Sequence, residues 1–173
     1  MIFSAQSSPH AISVEAIATI ILFHLKTLFS PAARISHQKS EEALKRRIKK
    51  LMNDTGLCNA ISFIAMFYLT RFWHECDLHD VDVDESTQFE LLVVALLTSC
   101  KVTKTAIIAS TCIKYVKVHD DERYSNLTWS GVSGIELRAL NEMEKEFLEM
   151  IDYRVHVDVE VYEEMTQDVG RLV

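Results

Sequence analysis

The chain has 173 residues, of which 49% are hydrophobic, and its formal net charge is −7 at pH 7. This length is enough to bury the core of one domain. The acidic balance argues against bulk nucleic-acid binding, which relies on a basic face to neutralise phosphates. Only four glycines and two prolines leave few positions for tight turns, which favours helices over many short strands. We therefore expect a single all-α domain.

The four cysteines, at positions 58, 76, 100 and 112, are widely and irregularly spaced. This spacing, without a C-x-x-C pair, favours reduced thiols over a disulfide framework. The longest apolar run, residues 91–97, is much shorter than the roughly 20 residues that a membrane span needs. No secretory signal with a small-residue cleavage site is found. We expect a protein of the cytoplasm, the nucleus or both, without a membrane partner.

Hydrophobic periodicity predicts six or seven helices. The first covers residues 14–29 and ends before Pro31, because proline breaks a helix. The second begins at Ser40, a suitable N-cap, and stops at the turn 53–56. The third, residues 60–73, is apolar on nearly every side, as expected of a central helix. The other predicted helices cover residues 89–97, 105–118, 135–151 and 159–169.

Two of these segments leave alternatives open. Residues 75–86 are acidic and irregular and predict a loop. The length of the apolar segment 89–97 also permits a strand, but Ser86 and Thr87 before Glu90 resemble a helix start. We predict a helix there, since no partner strand is found elsewhere in the sequence.

Motifs for metal binding or catalysis are weak. Residues 74–80 read His-x-Cys-x-x-His-Asp, but a structural zinc site needs four ligands and no second pair follows. The alternating acids of residues 80–84 suggest a calcium loop, but Glu85 occupies the position that requires glycine. No glycine-rich phosphate loop or Ser-His-Asp arrangement is present. We expect no metal, no cofactor and no enzymatic activity.

A basic segment, residues 45–50, has the composition of a nuclear-localisation signal or an anion-binding patch. Its cations alternate with Leu44, Ile48 and Leu51. This interleaving favours a solvated helix face.

The most specific pattern lies between residues 117 and 153. Lys-Val-His-Asp-Asp at 117–121 precedes Tyr-Ser-Asn at 124–126, then Trp129 and Val-Ser-Gly-Ile at 132–135. Leu-Asn-Glu-Met-Glu-Lys-Glu-Phe-Leu follows at 140–148, and then Asp-Tyr at 152–153. These motifs resemble the second half of a cyclin box, in particular that of the phosphate-regulating, kinase-binding cyclins. Upstream, Phe-Tyr-Leu-Thr-Arg-Phe at 67–72 resembles the signature of the second cyclin-box helix.

The resemblance implies a five-helix cyclin box, residues 34–157, with an additional N-terminal helix in residues 1–33 and a short C-terminal helix in residues 158–173. It implies a regulatory subunit that activates a cyclin-dependent protein kinase, as a heterodimer, by positioning the C-helix of the kinase. A role in the cell cycle and a role in nutrient signalling both stay open. The alternative function is a cyclin-fold scaffold or adaptor that binds a partner other than a kinase.

In cyclins, a lysine of the third helix and a glutamate of the fifth helix bond to backbone groups of the kinase C-helix. The resemblance assigns these roles to Lys117 and Glu144, with Lys114 as the alternative lysine. Such a pair supplies a donor and an acceptor to a helix end, where carbonyls and amides are unsatisfied. Phe147 and Leu148 complete the predicted kinase-binding set, and both also belong to the apolar face of the predicted helix 135–151.

The sequence departs from the family pattern at three places. Val118-His119 replaces the usual aromatic-Leu. Thr70 replaces the aspartate that in cyclins pairs with a buried first-helix arginine, and either Arg46 or Arg47 would occupy the arginine position. The segment 77–101 is an apparent insertion, which we expect to form a flexible acidic loop and a helix docked on the domain. Its role, a surface for a further partner or a tolerated insertion, stays open.

Overall fold

The structure, a computed structural model, describes residues 12–29, 38–81, 84, 87–107, 125–158 and 160–162. These residues form six helices and no strand, which confirms the predicted all-α class. Residues 160–162 form one further helical turn. In chain order the six helices are α1 (Val14–Phe29), α2 (Gln38–Thr55), α3 (Asn59–Leu78), α4 (Gln88–Ile107), α5 (Asn126–Ser133) and α6 (Leu137–Met150).

Helix α1 occupies the predicted residues. The Ser13 hydroxyl accepts a hydrogen bond from the Ala16 backbone N–H at 3.1 Å, as an N-cap does. Its buried side chains, including Ile17, Ile21 and Leu25, recur at helical spacing and pack against α2 and α3.

Helix α3 is longer than the sequence predicts. It continues to Leu78, so the predicted start of a loop at residue 75 is wrong. The reason lies in the packing of its last turn, because Cys76 is 1% exposed and Glu75 forms an ion pair with Arg154, near the end of the domain. The four described residues that follow α3 are all exposed: His79, Asp80, Val81 and Asp84.

Helix α4 is a single helix where the sequence predicts two. Its backbone continues from Gln88 to Ile107, so the predicted break before residue 105 is wrong, and the predicted helix beyond Ile107 lies outside the described residues. The small polar residues in this region are buried inside the domain. Ser99, for example, donates its hydroxyl to the Ala95 carbonyl at 2.7 Å and thereby satisfies itself within the helix.

Helix α4 is the centre of the core. All ten residues from 91 to 100 are buried, because α2, α3, α5 and α6 all pack against this helix. The segment 77–101 is therefore more than a surface insertion with a docked helix, since its second half supplies the middle of the domain.

Helix α6 begins at a side-chain cap, in which the Glu136 carboxylate accepts from the Ala139 N–H at 3.2 Å. Phe147 is 1% exposed, and its ring stacks on Phe72 of α3 with centroids 5.0 Å apart and an interplanar angle of 8°. Glu142 and Lys145 on the opposite face are exposed. The predicted apolar face of this helix is confirmed at Phe147, whereas Leu148 on that face is only half-buried.

The described part of the chain contains no helix with the length and apolar character that crossing a membrane requires. It also contains no group of three His, Cys, Asp or Glu side chains placed to hold a metal ion. The three cysteines that the structure describes, Cys58, Cys76 and Cys100, are free thiols, and of these Cys58 alone is exposed.

Candidate functional site

Helices α4 and α6 bring a cation and an anion together at the edge of the core. The Lys101 ammonium, near the end of α4, lies 2.6 Å from Oε1 and 2.8 Å from Oε2 of Glu144 on α6. The side chain of Glu144 is 13% exposed and that of Lys101 is 39% exposed. This ion pair therefore has a sheltered anion and a cation that faces partly into solvent.

Helix α5 adds a neutral donor to the same carboxylate. The side-chain Nδ2 of Asn126 donates to Glu144 Oε2 at 2.7 Å and to the side-chain Oδ1 of Asn141 at 2.6 Å. Asn126 is the first residue of α5, and the preceding Ser125 caps that helix by accepting from the Thr128 N–H at 3.2 Å. Three helices thus converge on one glutamate, and we call Lys101, Asn126, Asn141 and Glu144 the Glu144 cluster.

The Glu144 cluster has the chemistry to recognise a helix end. Ammonium N–H groups donate to carbonyls, carboxylate oxygens accept from amides, and both types of backbone group are unsatisfied at helix termini. Leu127, the next residue of α5 after Asn126, is 69% exposed and so presents an apolar side chain to solvent. An ionic centre flanked by apolar area suits a protein partner better than a small substrate.

The predicted site residues are distributed as follows. Lys117 and its alternative Lys114 lie outside the described residues. Glu144 is described, half-buried and bonded to Lys101 and Asn126. Leu148 is half-buried. Phe147 is in the core, so a contribution of its side chain to partner binding would be indirect, through the position of α6.

Sequence reasoning missed Lys101 because it placed this residue at the end of an insertion. The signal was present, since Lys101 follows a long apolar helix segment, as the lysine of the third cyclin-box helix does. Glu144 is sheltered in the free protein, because Lys101 and Asn126 bond to its carboxylate.

A second polar contact joins α1 to α3 at Thr70. His24 Nε2 lies 3.0 Å from the Met66 carbonyl and 3.1 Å from the Thr70 hydroxyl. Burial lowers the pKa of His24 from its usual value, although the bond to Met66 opposes that change. The Thr70 hydroxyl thus contacts both a histidine of α1 whose pKa is lowered by burial and the Met66 carbonyl of its own helix.

Arg46 and Arg47, the two candidates for the arginine that would pair with residue 70, have other contacts. The Arg47 guanidinium lies 3.7 Å from the centroid of the Phe89 ring and 3.5 Å from the carboxylate of Glu90. Arg46 donates to the backbone carbonyl of Glu42 at 3.2 Å, within its own helix. Arg47 therefore ties α2 to α4.

The basic face of α2 is partly neutralised by acids of its own domain. Lys45 and Lys49 bind the two oxygens of Glu15 on α1 at 2.7 and 2.6 Å, and together they lower the pKa of Glu15 to about 2. Lys50 pairs with Asp54 one turn further along α2. These pairings support a solvated, structural face.

The segment after α6, residues 152–158, is fastened to α3; we call it the exit segment. The Tyr68 hydroxyl donates to the Val155 carbonyl at 2.6 Å, and burial raises the pKa of Tyr68 to about 12. Arg71, the arginine of the second-helix signature, donates to the Arg154 carbonyl. Arg154 in turn pairs with Glu75. Side chains of α3 thus bind two backbone carbonyls and one side chain of the exit segment.

Comparison with family models gave a match to the model described as Cyclin, over residues 106–155. This match supports a cyclin family, whose members are regulatory proteins, and spans less than a third of the chain. It includes Lys114, Lys117, Asn126 and Glu144 but begins after Lys101. Neither the comparison with curated proteins nor that with solved structures gave a match.

Proposed function

We propose that this chain is the regulatory, activating subunit of a cyclin-dependent protein kinase and forms a heterodimer with it. The observation that carries the proposal is the Glu144 cluster, in which three helices orient one carboxylate within the region that matches the Cyclin model. The motifs at residues 117–153 further support a place among the phosphate-regulating cyclins. We place the action of the complex in the cytoplasm, the nucleus or both.

In the proposed complex, the Glu144 cluster contacts the C-helix of the kinase. By resemblance to cyclins, this contact holds the C-helix inward and so completes the kinase's own Lys–Glu ion pair, which positions ATP. Each charge-assisted bond between the two proteins would contribute about 1.5–3 kcal/mol. Leu127 and the half-buried Leu148 would supply apolar area around that polar centre.

The donor beside Glu144 has three candidates. The contacts at 2.6 and 2.8 Å favour Lys101, whereas the family match and the Lys-x-x-Asp-Asp motif favour Lys117, with Lys114 in the alternative register. We propose Lys101, because its ammonium has the position at the carboxylate that the role requires.

The experiment that tests the function begins with capture of the chain's partners from a native lysate and their identification by mass spectrometry. The proposal requires a cyclin-dependent kinase among them, and requires the purified pair to phosphorylate a protein substrate faster than the kinase alone. Recovery of a stable non-kinase partner, with no kinase bound or activated, would instead support the scaffold alternative.

The site is tested by calorimetric titration of that kinase with single substitutions, and the free energy of unfolding of each variant is measured in parallel. Lys101→Gln and Glu144→Gln should each weaken binding by at least about tenfold, or 1.4 kcal/mol. Lys117→Gln and Lys114→Gln should have little effect. Lys145→Gln is the matched control, since its exposed side chain lies on the same helix. Wild-type affinity of both the Lys101 and Glu144 variants would refute the site, and a loss confined to Lys117→Gln would transfer the role to that residue.

A further inference from the structure

We propose that Asn126 is the positioning residue of the Glu144 cluster, which fixes the direction in which the Glu144 carboxylate meets its partner. This inference rests on the proposed function, because the direction matters only if Glu144 binds another protein. Within the described part of the chain, α4 and α5 each supply a side-chain donor to this carboxylate, a flexible ammonium from Lys101 and a rigid amide from Asn126.

The orientation of the Asn126 amide follows from its two acceptors. One N–H of Nδ2 bonds to Glu144 Oε2 at 2.7 Å and the other to Asn141 Oδ1 at 2.6 Å. A flipped amide would set its own oxygen against both of these oxygens. The Glu144 carboxylate, which can only accept, thus selects the amide orientation that donates, and Asn141 Oδ1 accepts the second N–H of the same amide.

Asn126 restrains a motion that Lys101 permits. A lysine is a point charge on a flexible stem, and Lys101 contacts both oxygens of the carboxylate, so this pairing tolerates rotation of the Glu144 carboxylate. The amide of Asn126 is short and planar, is held by its second bond to Asn141, and contacts Oε2 alone of the two Glu144 oxygens. Oε1 is therefore the oxygen that this arrangement turns away from α5.

Asn126→Asp tests the positioning role, because the substitution replaces the amide donor of Asn126 by a carboxylate of nearly the same shape. When both carboxylates are ionised they repel each other, whereas at lower pH a shared proton restores a donor and an acceptor. The variant should therefore bind the kinase more weakly than the wild type near neutral pH and recover as the pH falls. A loss of affinity caused only by damaged packing would not depend on pH in this way.

The experiment titrates the captured kinase with wild type, Asn126→Asp and Ser125→Ala by calorimetry, at several pH values between about 5 and 8, because a nearby like charge raises one pKa of a carboxylate pair above the usual value of about 4. Ser125→Ala is the matched control, since it removes the cap of α5 without removing a donor to Glu144. Each affinity is expressed relative to that of the wild type at the same pH. The unfolding transition of each free protein is measured at the same pH values.

We expect Asn126→Asp to lose at least about tenfold in affinity at the upper end of this range, to regain most of it at the lower end, and Ser125→Ala to stay within about twofold of wild type throughout. Wild-type affinity of Asn126→Asp at every pH, while its unfolding transition shifts with pH, would overturn the proposal, because Asn126 would then contact Glu144 without positioning it. An equal loss in Ser125→Ala would overturn it too. Failure of the proposed function shows differently, as recovery of no kinase in the capture experiment, and failure of the site shows as unchanged binding of Lys101→Gln and Glu144→Gln.

Discussion

Replacement of Phe147 by alanine should remove the stacked contact between Phe147 of α6 and Phe72 of α3. The Phe147 side chain is 1% exposed, and its ring lies nearly parallel to that of Phe72 at a centroid distance of 5.0 Å. The substitution would open a cavity between two helices that are held on both sides, α6 by α4 and α3 by α1. Because these neighbours prevent the helices from closing the gap, we expect the cavity to persist, at the cost usual for a buried aromatic side chain.

Loss of a buried phenylalanine costs about 3–5 kcal/mol, and the stacked pair of rings accounts for about 0.5–1.5 kcal/mol of stabilisation beyond burial. We therefore expect Phe147→Ala to lower the free energy of unfolding by about 4 kcal/mol. For a domain of this size, that loss corresponds to a decrease of about 8–16 °C in the melting temperature. It is a large part of the total stability of a typical domain.

The assay is urea denaturation followed by circular dichroism, with thermal unfolding as a second measure. Phe147→Leu is the matched control, because it keeps most of the buried volume and removes the ring stacking, and it should cost about 1–1.5 kcal/mol. Lys145→Ala, on the exposed face of the same helix, should stay within about 0.5 kcal/mol of wild type. A cost below about 1 kcal/mol for Phe147→Ala would refute the packing of α6 on α3.

Three other groups, a buried histidine, the buried thiols and a left-handed glycine, give further predictions. Because burial lowers the folded-state pKa of His24, the unfolded state binds more protons. The free energy of unfolding should therefore be greatest above the unfolded pKa of 6.5 and decrease as the pH falls below it. His24→Gln should flatten this pH dependence of the urea midpoint, and an unchanged slope would contradict the prediction. Burial raises the pKa of the Cys76 thiol to about 11 and that of Cys100 further still. In a Cys112→Ser background, a maleimide should therefore label the exposed Cys58 first and the other two thiols only on unfolding. Labelling of Cys100 as fast as that of Cys58 would contradict the burial of α4. Gly134 has a φ of 78° at the C-cap of α5, with open space where an alanine Cβ would lie. In a urea titration, Gly134→Ala should therefore lower the free energy of unfolding by about 1–2 kcal/mol through backbone strain alone. Gly131→Ala, the control within α5, should cost nothing in the same titration.

The helices with one polar and one apolar face were predictable from sequence. Helices α1 and α6 have clear stripes and recognisable starts, so their bounds differ little from the expected ones. Helix α4 was not predictable as one element, because burial on every side leaves no periodicity to detect. Its buried residues Thr98, Ser99 and Thr103 look like a polar break in one dimension, and only the packing of four helices around them shows otherwise.

The candidate site was predictable in one half. Glu144 was found because its motif is local, contained within a single helix of the cyclin-like pattern. Its described partner, Lys101, lies 43 residues earlier on another helix. That pairing depends on where α4 begins and how it crosses α6, which are properties of the packed domain. The motif that suggested Lys117 carries no information on that crossing.

The fastening of the exit segment to α3 has a consequence for how the chain is made. The Val155 carbonyl that accepts from Tyr68 is synthesised 87 residues after the tyrosine, and the acceptor of Arg71 follows that arginine by 83 residues. On a growing chain, α3 therefore emerges with a phenol and a guanidinium that only water satisfies. Contacts so distant in sequence form late, because a long loop must close first. In a nascent chain halted before residue 154, α1–α4 should be sensitive to protease. Synthesis of the exit segment should end that sensitivity.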